Sequence, residues 1–498
     1  MLLRDFSGGL NTRVHPSLLQ PNEAQEYTNI DGSSGAIIPV KDKALHTSSI
    51  NKYFTWYYAN SEFISSSTEA SYIEYKDILY STRLNDYPTK YDGTNTYSLG
   101  IIGPSSSPIV SLNGSGVLDG TYTYLYTYYN STDGTESQGS TLSTEVIASL
   151  NTIDINIPTA STDPQVTNIR LYRIGGALSS YTLVSSLSNS VQTYSDNTAD
   201  IDIAGNHIYD SALYKEAPIG LKYITEAYGM LFGVVDDKLY YSEIAKPNAW
   251  PSTYFIDFPE TIMGIGEVQN GLLVFTKYKT YIITGNNPLS FTKYLLDGSQ
   301  GCLSHYTIQF VNNTLLWLST DGICASSGGI VEVISLPKVG KISFTSINNA
   351  QVLDNVYYLA ADGKIFCYDF RYNKIIRAID NSVDWLGSYN DTLYANFSND
   401  IYEMMQGSPL TYKWKSPILT EGEYSNYKLF KEFYIRYNGD ITFKLYVDGA
   451  LVNIKQLSGN TCYNLKALDS ARGYGLEIEL EGTGEVYEIS YKVTGRQK

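Results

Sequence analysis

Between Tyr228 and Met405 a short unit of turn followed by strand recurs at nearly constant spacing. It reads Tyr228-Gly229-Met230-Leu231-Phe232, then Asn270-Gly271-Leu272-Leu273-Val274-Phe275, then Asn313-Thr314-Leu315-Leu316-Trp317. Asn355-Val356-Tyr357-Tyr358-Leu359 and Asp391-Thr392-Leu393-Tyr394-Ala395 complete the series. The starts lie about 42 residues apart, tightening to about 36 at the last step, near the roughly 40–45 of one four-stranded propeller blade. In most units a second turn follows: Asp237 before Leu239-Tyr240-Tyr241, Asp321-Gly322 before Ile323, Asp362-Gly363 before Ile365, Asn399-Asp400 before Ile401. Such residues tolerate the positive φ of two-residue hairpin turns, so each closes a hairpin. A lone hairpin buries too little to stand in water, and hairpins in series require a shared core. Radial packing into a β-propeller is the expected outcome, with a generic antiparallel sandwich as the alternative.

The chain is long enough for several domains, at 498 residues. Its 46 Tyr against 16 Phe and 5 Trp make an all-β composition, and Tyr in such excess also suits subunit interfaces. Residues 1–50 form an arm: Phe6-Ser7-Gly8-Gly9-Leu10-Asn11-Thr12-Arg13 is extended, and Pro21 to Tyr27 reads as a short helix with Pro and Glu in its first turn. The arm either closes a sheet or docks on a neighbouring subunit. Residues 51–103 read as a first blade. After the Pro- and Ser-rich linker 103–108, residues 104–214 read as an inserted β-sandwich of fibronectin III type. In it, Tyr122, Tyr124, Tyr126 and Tyr128 fall on one strand face, a core and interface face or else a sugar platform. Residues 215–410 carry the remaining blades, about six in all, and 411–498 alternate like a C-terminal β-sandwich.

Chemistry finds little foothold. The four histidines, His15, His46, His207 and His305, lack metal-ligand spacing and read as surface or turn residues. There is no GxSxG elbow, P-loop lysine motif or SxDxGxTW turn, and Asp196 to Asp202 miss the spacing of a calcium loop. No catalytic, metal or cofactor residue is assigned, and a non-enzyme is expected. Four scattered cysteines form no disulfide framework and read as buried thiols. With neither a signal-peptide core nor an apolar run of membrane length, a soluble protein made in a cytoplasm is expected. The formal net charge of −16, without basic clusters, opposes tight binding to nucleic acid.

Several stretches together resemble the tail nozzle (tail tubular protein B, or tail hub) proteins of short-tailed bacteriophages. They are Asp5-Phe6-Ser7-Gly8-Gly9-Leu10-Asn11-Thr12, with Asn22-Glu23-Ala24 and Asn29; Leu239-Tyr240-Tyr241-Ser242 with Lys246-Pro247-Asn248-Ala249-Trp250; Tyr281 to Pro288 continuing to Gly301; and Leu316-Trp317 to Ile323. Arg170-Leu171-Tyr172-Arg173 in the insertion has counterparts as well. The resemblance covers most of the chain, and its motifs are structural. It implies a virion protein assembled in the host cytoplasm. Copies, usually six, would form a ring below the portal and adaptor, hold tail fibres or spikes, and pass double-stranded DNA through an acidic lumen. Phe6, Leu10, Arg13, Tyr27, Tyr122 and Tyr124 are the candidate subunit and adaptor contacts. The competing readings are a receptor- or glycan-binding tail surface protein and a propeller glycoside hydrolase, which would need paired carboxylates across the channel.

Overall fold

The computed structural model describes residues 1–371, 375–422, 424–465 and 471–495, with the side chains of 375, 461–465 and 495 left aside. Almost every element is a strand. Five antiparallel sheets have four strands each, and a sixth group of four, Ile347–Leu353 to Ile375–Ile379, is continued into a nine-stranded sheet. The two-stranded hairpin Tyr53–Tyr57 and Glu62–Ser66 stands beside them.

The first strands of these sheets touch in succession. Tyr53–Tyr57 meets Ala70–Tyr75, which meets Lys222–Ala227 and then Gly264–Val268; from Gln309–Val311 the series runs through Ile347–Leu353 and Trp385–Tyr389 back to Tyr53–Tyr57. The ring is a β-propeller. Residues 51–103 therefore hold more than one blade: the hairpin and a separate four-stranded sheet.

All five repeated units fall on the second strand of a sheet, where burial is nearly complete, as at Met230–Val235, Gly271–Phe275 and Val356–Ala361. The turns before them carry positive φ at both central residues in Tyr228-Gly229, Asn312-Asn313, Asp354-Asn355 and Asn390-Asp391. That is the geometry whose twist matches the paired strands.

The N-terminal arm is woven through the chain. Leu2–Leu3 pairs with Glu485–Gly495, and Glu26–Thr28 lies between Ile375–Ile379 and Tyr412–Lys415. Ala44–Thr47 supplies the fourth strand of the last sheet, beside Asp400–Glu403. The strand reading of the arm thus holds within the single chain. The expected helix over 21–27 does not form. Glu23 does turn back on the N–H of Gln20 (2.9 Å), as at a helix start, but Glu23–Ala24 then pairs in parallel with Gly9–Leu10. One helical turn offers few backbone bonds, and long-range pairing wins. The Gly8-Gly9 pair is needed here: a Cβ on Gly8 would sit 2.5 Å from the Asn22 carbonyl oxygen, and Gly9 has φ 69°.

The C-terminal region is a sandwich. The sheet of Leu2–Leu3, Lys428–Asn438, Asn460–Leu465 and Glu485–Gly495 faces Tyr412–Lys415, Ile441–Val447 and Leu476–Gly482 across one core around Trp414. The inserted module, between Thr96–Ser98 and Lys222–Ala227, is one five-stranded sheet whose longest strand, Ile109–Tyr129, pairs with Val146–Asn156 at one end and Asn168–Gly175 at the other. It bends through bulges before Gly120, so its halves close on a common core. Tyr122, Tyr124, Tyr126 and Tyr128 point into that core. The strand's free edge is covered by a strap in which Ser137, Ser140 and Ser143 accept from the N–H groups of Tyr128, Tyr126 and Tyr124 at 2.9–3.1 Å.

Candidate functional site

The axis of the propeller holds a cavity of about 790 Å³ lined by the first strands of every sheet in the ring. One end is shut. The single turn His305–Thr307 projects into the axis, and the Tyr306 ring packs edge-on against Trp385 (5.0 Å) and Tyr223 (6.1 Å). Tyr306 also lines a small second cavity on its other side with Glu69, Arg83 and Lys222, so it is the partition between the two.

The open end lies where the first strands turn into the second. The rings of Tyr58 (56% exposed) and Phe310 (51% exposed) line it. Tyr58 is held in a pile of rings, 5.7 Å from Tyr389, which stacks on Trp56 at 5.0 Å and 2°. The amides of Gln269, Gln309 and Asn313 line the same region and engage no partner among the described residues. Glu267 is the one carboxylate among the described lining residues, and no Lys or Arg lines the cavity there. Burial, with Glu226 close by, raises its pKa above the usual carboxylate value.

His305 sits in a turn, one of the two roles expected of it, but its ring is packed into the fold. Its ring stacks on Tyr223 at 4.4 Å and its Nε2 lies 3.4 Å from the Ser71 hydroxyl. Burial pushes its pKa down from 6.5 to about 3. The unfolded chain therefore takes up a proton near pH 6.5 that the folded chain refuses until about pH 3, so stability falls as pH drops across that window and levels off below it. In acid unfolding, His305→Phe, which keeps the stacked ring, is expected to lose less stability than the parent over that range. Equal losses would mean that the imidazole titrates freely in the fold.

The six candidate contact residues do not form one surface. Phe6 and Tyr27 meet in the C-terminal core, with the Tyr27 hydroxyl donating to the Phe6 carbonyl (3.0 Å) and the Phe6 ring 5.2 Å from Trp414. Leu10 packs on the same core, and Arg13 alone is exposed. Tyr122 and Tyr124 belong to the separate core of the insertion. As contacts, Phe6, Tyr27, Tyr122 and Tyr124 are corrected: each is at most 2% exposed, and the three tyrosine hydroxyls are satisfied internally.

Around those last two lies a buried ion network. Arg173 donates to Asp196 (2.5 Å), Asp200 (2.7 Å) and the Thr198 carbonyl (3.1 Å), and the Tyr124 hydroxyl donates to Asp196 (2.8 Å). Asp196 and Asp200 are thus held by a guanidinium, while Asp202 faces solvent. Cys302, Cys324 and Cys367 are free buried thiols, raised by burial to about 12, 12 and 11; the side chain of Cys462 lies outside the described residues. No helix among the described residues is long and apolar enough to cross a membrane.

The fold and cavity define an all-β protein, a propeller with a one-ended axial pocket, an inserted five-stranded sheet and a C-terminal sandwich. No family model and no curated protein matches the chain. Among solved structures it is similar to the computationally designed Ika8 protein, at 12% identity and TM-score 0.32 over 73% of this chain and 99% of that one. BamB from Moraxella catarrhalis matches at 10% identity and TM-score 0.27, over 61% and 97%. Hsv2 from Kluyveromyces lactis matches at 9% and 0.26, over 49% and 66%. Superpositions so loose carry no argument about function, and the propeller rests on the strand pairings above.

Proposed function

We propose that this protein is a structural component of a short phage tail, a nozzle whose copies form a ring and continue the DNA channel below the adaptor. The observation that supports this most is where the resembling motifs fall: on joints of the frame, away from the pocket. Gly8 sits against Asn22, the Trp250 indole donates to Pro247 (2.9 Å), and Asn248 ties the propeller to Asp133 and Thr135 of the insertion (3.2 and 3.1 Å). The Trp317 indole is fully buried and donates to Gly301 (2.8 Å). Such residues preserve a shape and perform no reaction.

The axis of each propeller is blocked by Tyr306, so in this reading DNA runs between copies, along acidic walls that repel phosphate. Copies meet through apolar side chains left outward on the insertion, Leu112, Val117, Ile147 and Leu150, each about half exposed or more. Native mass spectrometry and cryo-EM of the protein with adaptor particles test this. A six-fold ring is expected, reduced to monomer by Ile147→Asp with Leu150→Asp. A parent chain that stays monomeric beside the adaptor sinks the reading.

A further inference from the structure

We propose that the one-ended axial cavity binds a neutral oligosaccharide, a role separate from the ring and independent of it. The size suits a small ligand, since clefts for such molecules span about 300–1,000 Å³ and this one is about 790 Å³. What the lining leaves unused decides the chemistry. Gln269, Gln309 and Asn313 each offer a donor and an acceptor on one planar group, which suits neighbouring hydroxyls on a sugar ring. Glu267 adds an acceptor for a further hydroxyl.

The exposed rings of Tyr58 and Phe310 suit the apolar C–H face of a pyranose. Tyr58 is already fixed by Tyr389 and Trp56, so the platform costs little further ordering on binding. Anions are disfavoured. No cation lines the cavity among the described residues, and Glu226 and Glu267 occupy the same register on adjacent first strands, two residues before the turn. A simple amine would leave the three amides unused. One carboxylate without a partner across the cavity binds a glycoside without cleaving it.

Trp56 and Trp385 line the pocket, so their emission reports its occupancy. The full-length protein is screened on an array of neutral, sialylated and sulfated oligosaccharides, and each glycan retained is titrated against tryptophan fluorescence, with spermidine as the amine control. Neutral oligosaccharides are expected to bind and to be recovered intact. Gln269→Ala and Asn313→Ala should each weaken binding about tenfold, and Tyr58→Ala by a similar factor. All three side chains are exposed, so an unchanged tryptophan spectrum without ligand confirms the fold. The proposal is overturned if no neutral glycan is retained, if only anionic glycans or spermidine bind, or if the three variants bind as the parent does.

Discussion

Removing residues 1–47 is expected to leave a chain that does not fold, rather than a folded subunit that fails to assemble. The deletion strips Leu2–Leu3 from one sheet of the C-terminal sandwich and Glu26–Thr28 from the other, where it bridges to Ile375–Ile379. It also takes Ala44–Thr47 from the sheet that closes the propeller. Phe6 and Tyr27 leave the core around Trp414, and truncating one large buried aromatic costs about 3–5 kcal/mol by itself. Arg377, 2% exposed, loses its contacts to Asp31 (3.0 Å) and the Ile30 carbonyl, which strands a buried guanidinium. The check is the near-ultraviolet circular dichroism and protease resistance of the truncated chain. A soluble, protease-resistant monomer with the parent's spectrum would return the arm to a docking role. The milder Tyr27→Ala should lower stability by about 3–5 kcal/mol and keep the fold.

Arg173→Ala should open the inserted module. The guanidinium and Asp196 are both fully buried, and Asp200 is 13% exposed. Without it, two carboxylates remain in the core with no cation, at a cost of about 3–5 kcal/mol. Arg173→Lys should recover part of this, since a single ammonium replaces the charge but cannot fork between two acids and a carbonyl. A multidomain chain does not unfold in one step, so amide hydrogen exchange over 109–214 is the better measure. Protection there should fall by several orders of magnitude in the alanine variant while the propeller strands keep theirs. Unchanged protection would mean that the network adds no stability.

The second strands of the propeller were legible because two local signals coincide in them: turn residues that accept positive φ and an unbroken apolar run. Period two places four tyrosines on one face, although it does not show the acids that accept from the hydroxyls of Tyr122 and Tyr124. The arm was not legible, since Ala44–Thr47 pairs with residues far along the chain and nothing local announces the partner. Pro21 to Tyr27 misled for a related reason: its capping chemistry is real, but the backbone donors that follow are taken by distant strands.

The pocket is not legible in the repeated units because each runs forward from its turn into the second strand, whereas the residues that line the axis precede the turn. Counting four residues back from the turn gives Tyr72, Ile224, Ile265, Ile308, Ala350 and Leu386, all of which line the axis. Counting two residues back from the same turns gives Glu267 and Phe310, at the open end. The serine strap left a fainter trace, Ser at every third position from 137 to 143, a period that belongs neither to helix nor to strand.

Because His46 lies beside Glu403, 357 positions further on, the last sheet stays incomplete until that later stretch has left the ribosome. At about 5–20 residues per second, translation alone holds that joint open for roughly 20–70 s. During this interval the circle is open, and a strand from another nascent molecule can take the vacant place. A circular permutant opened after residue 47, with the old ends joined, would make Ala44–Thr47 after Asp400–Glu403 and shorten the wait, and a higher soluble yield would identify chain closure as the slow event in biogenesis.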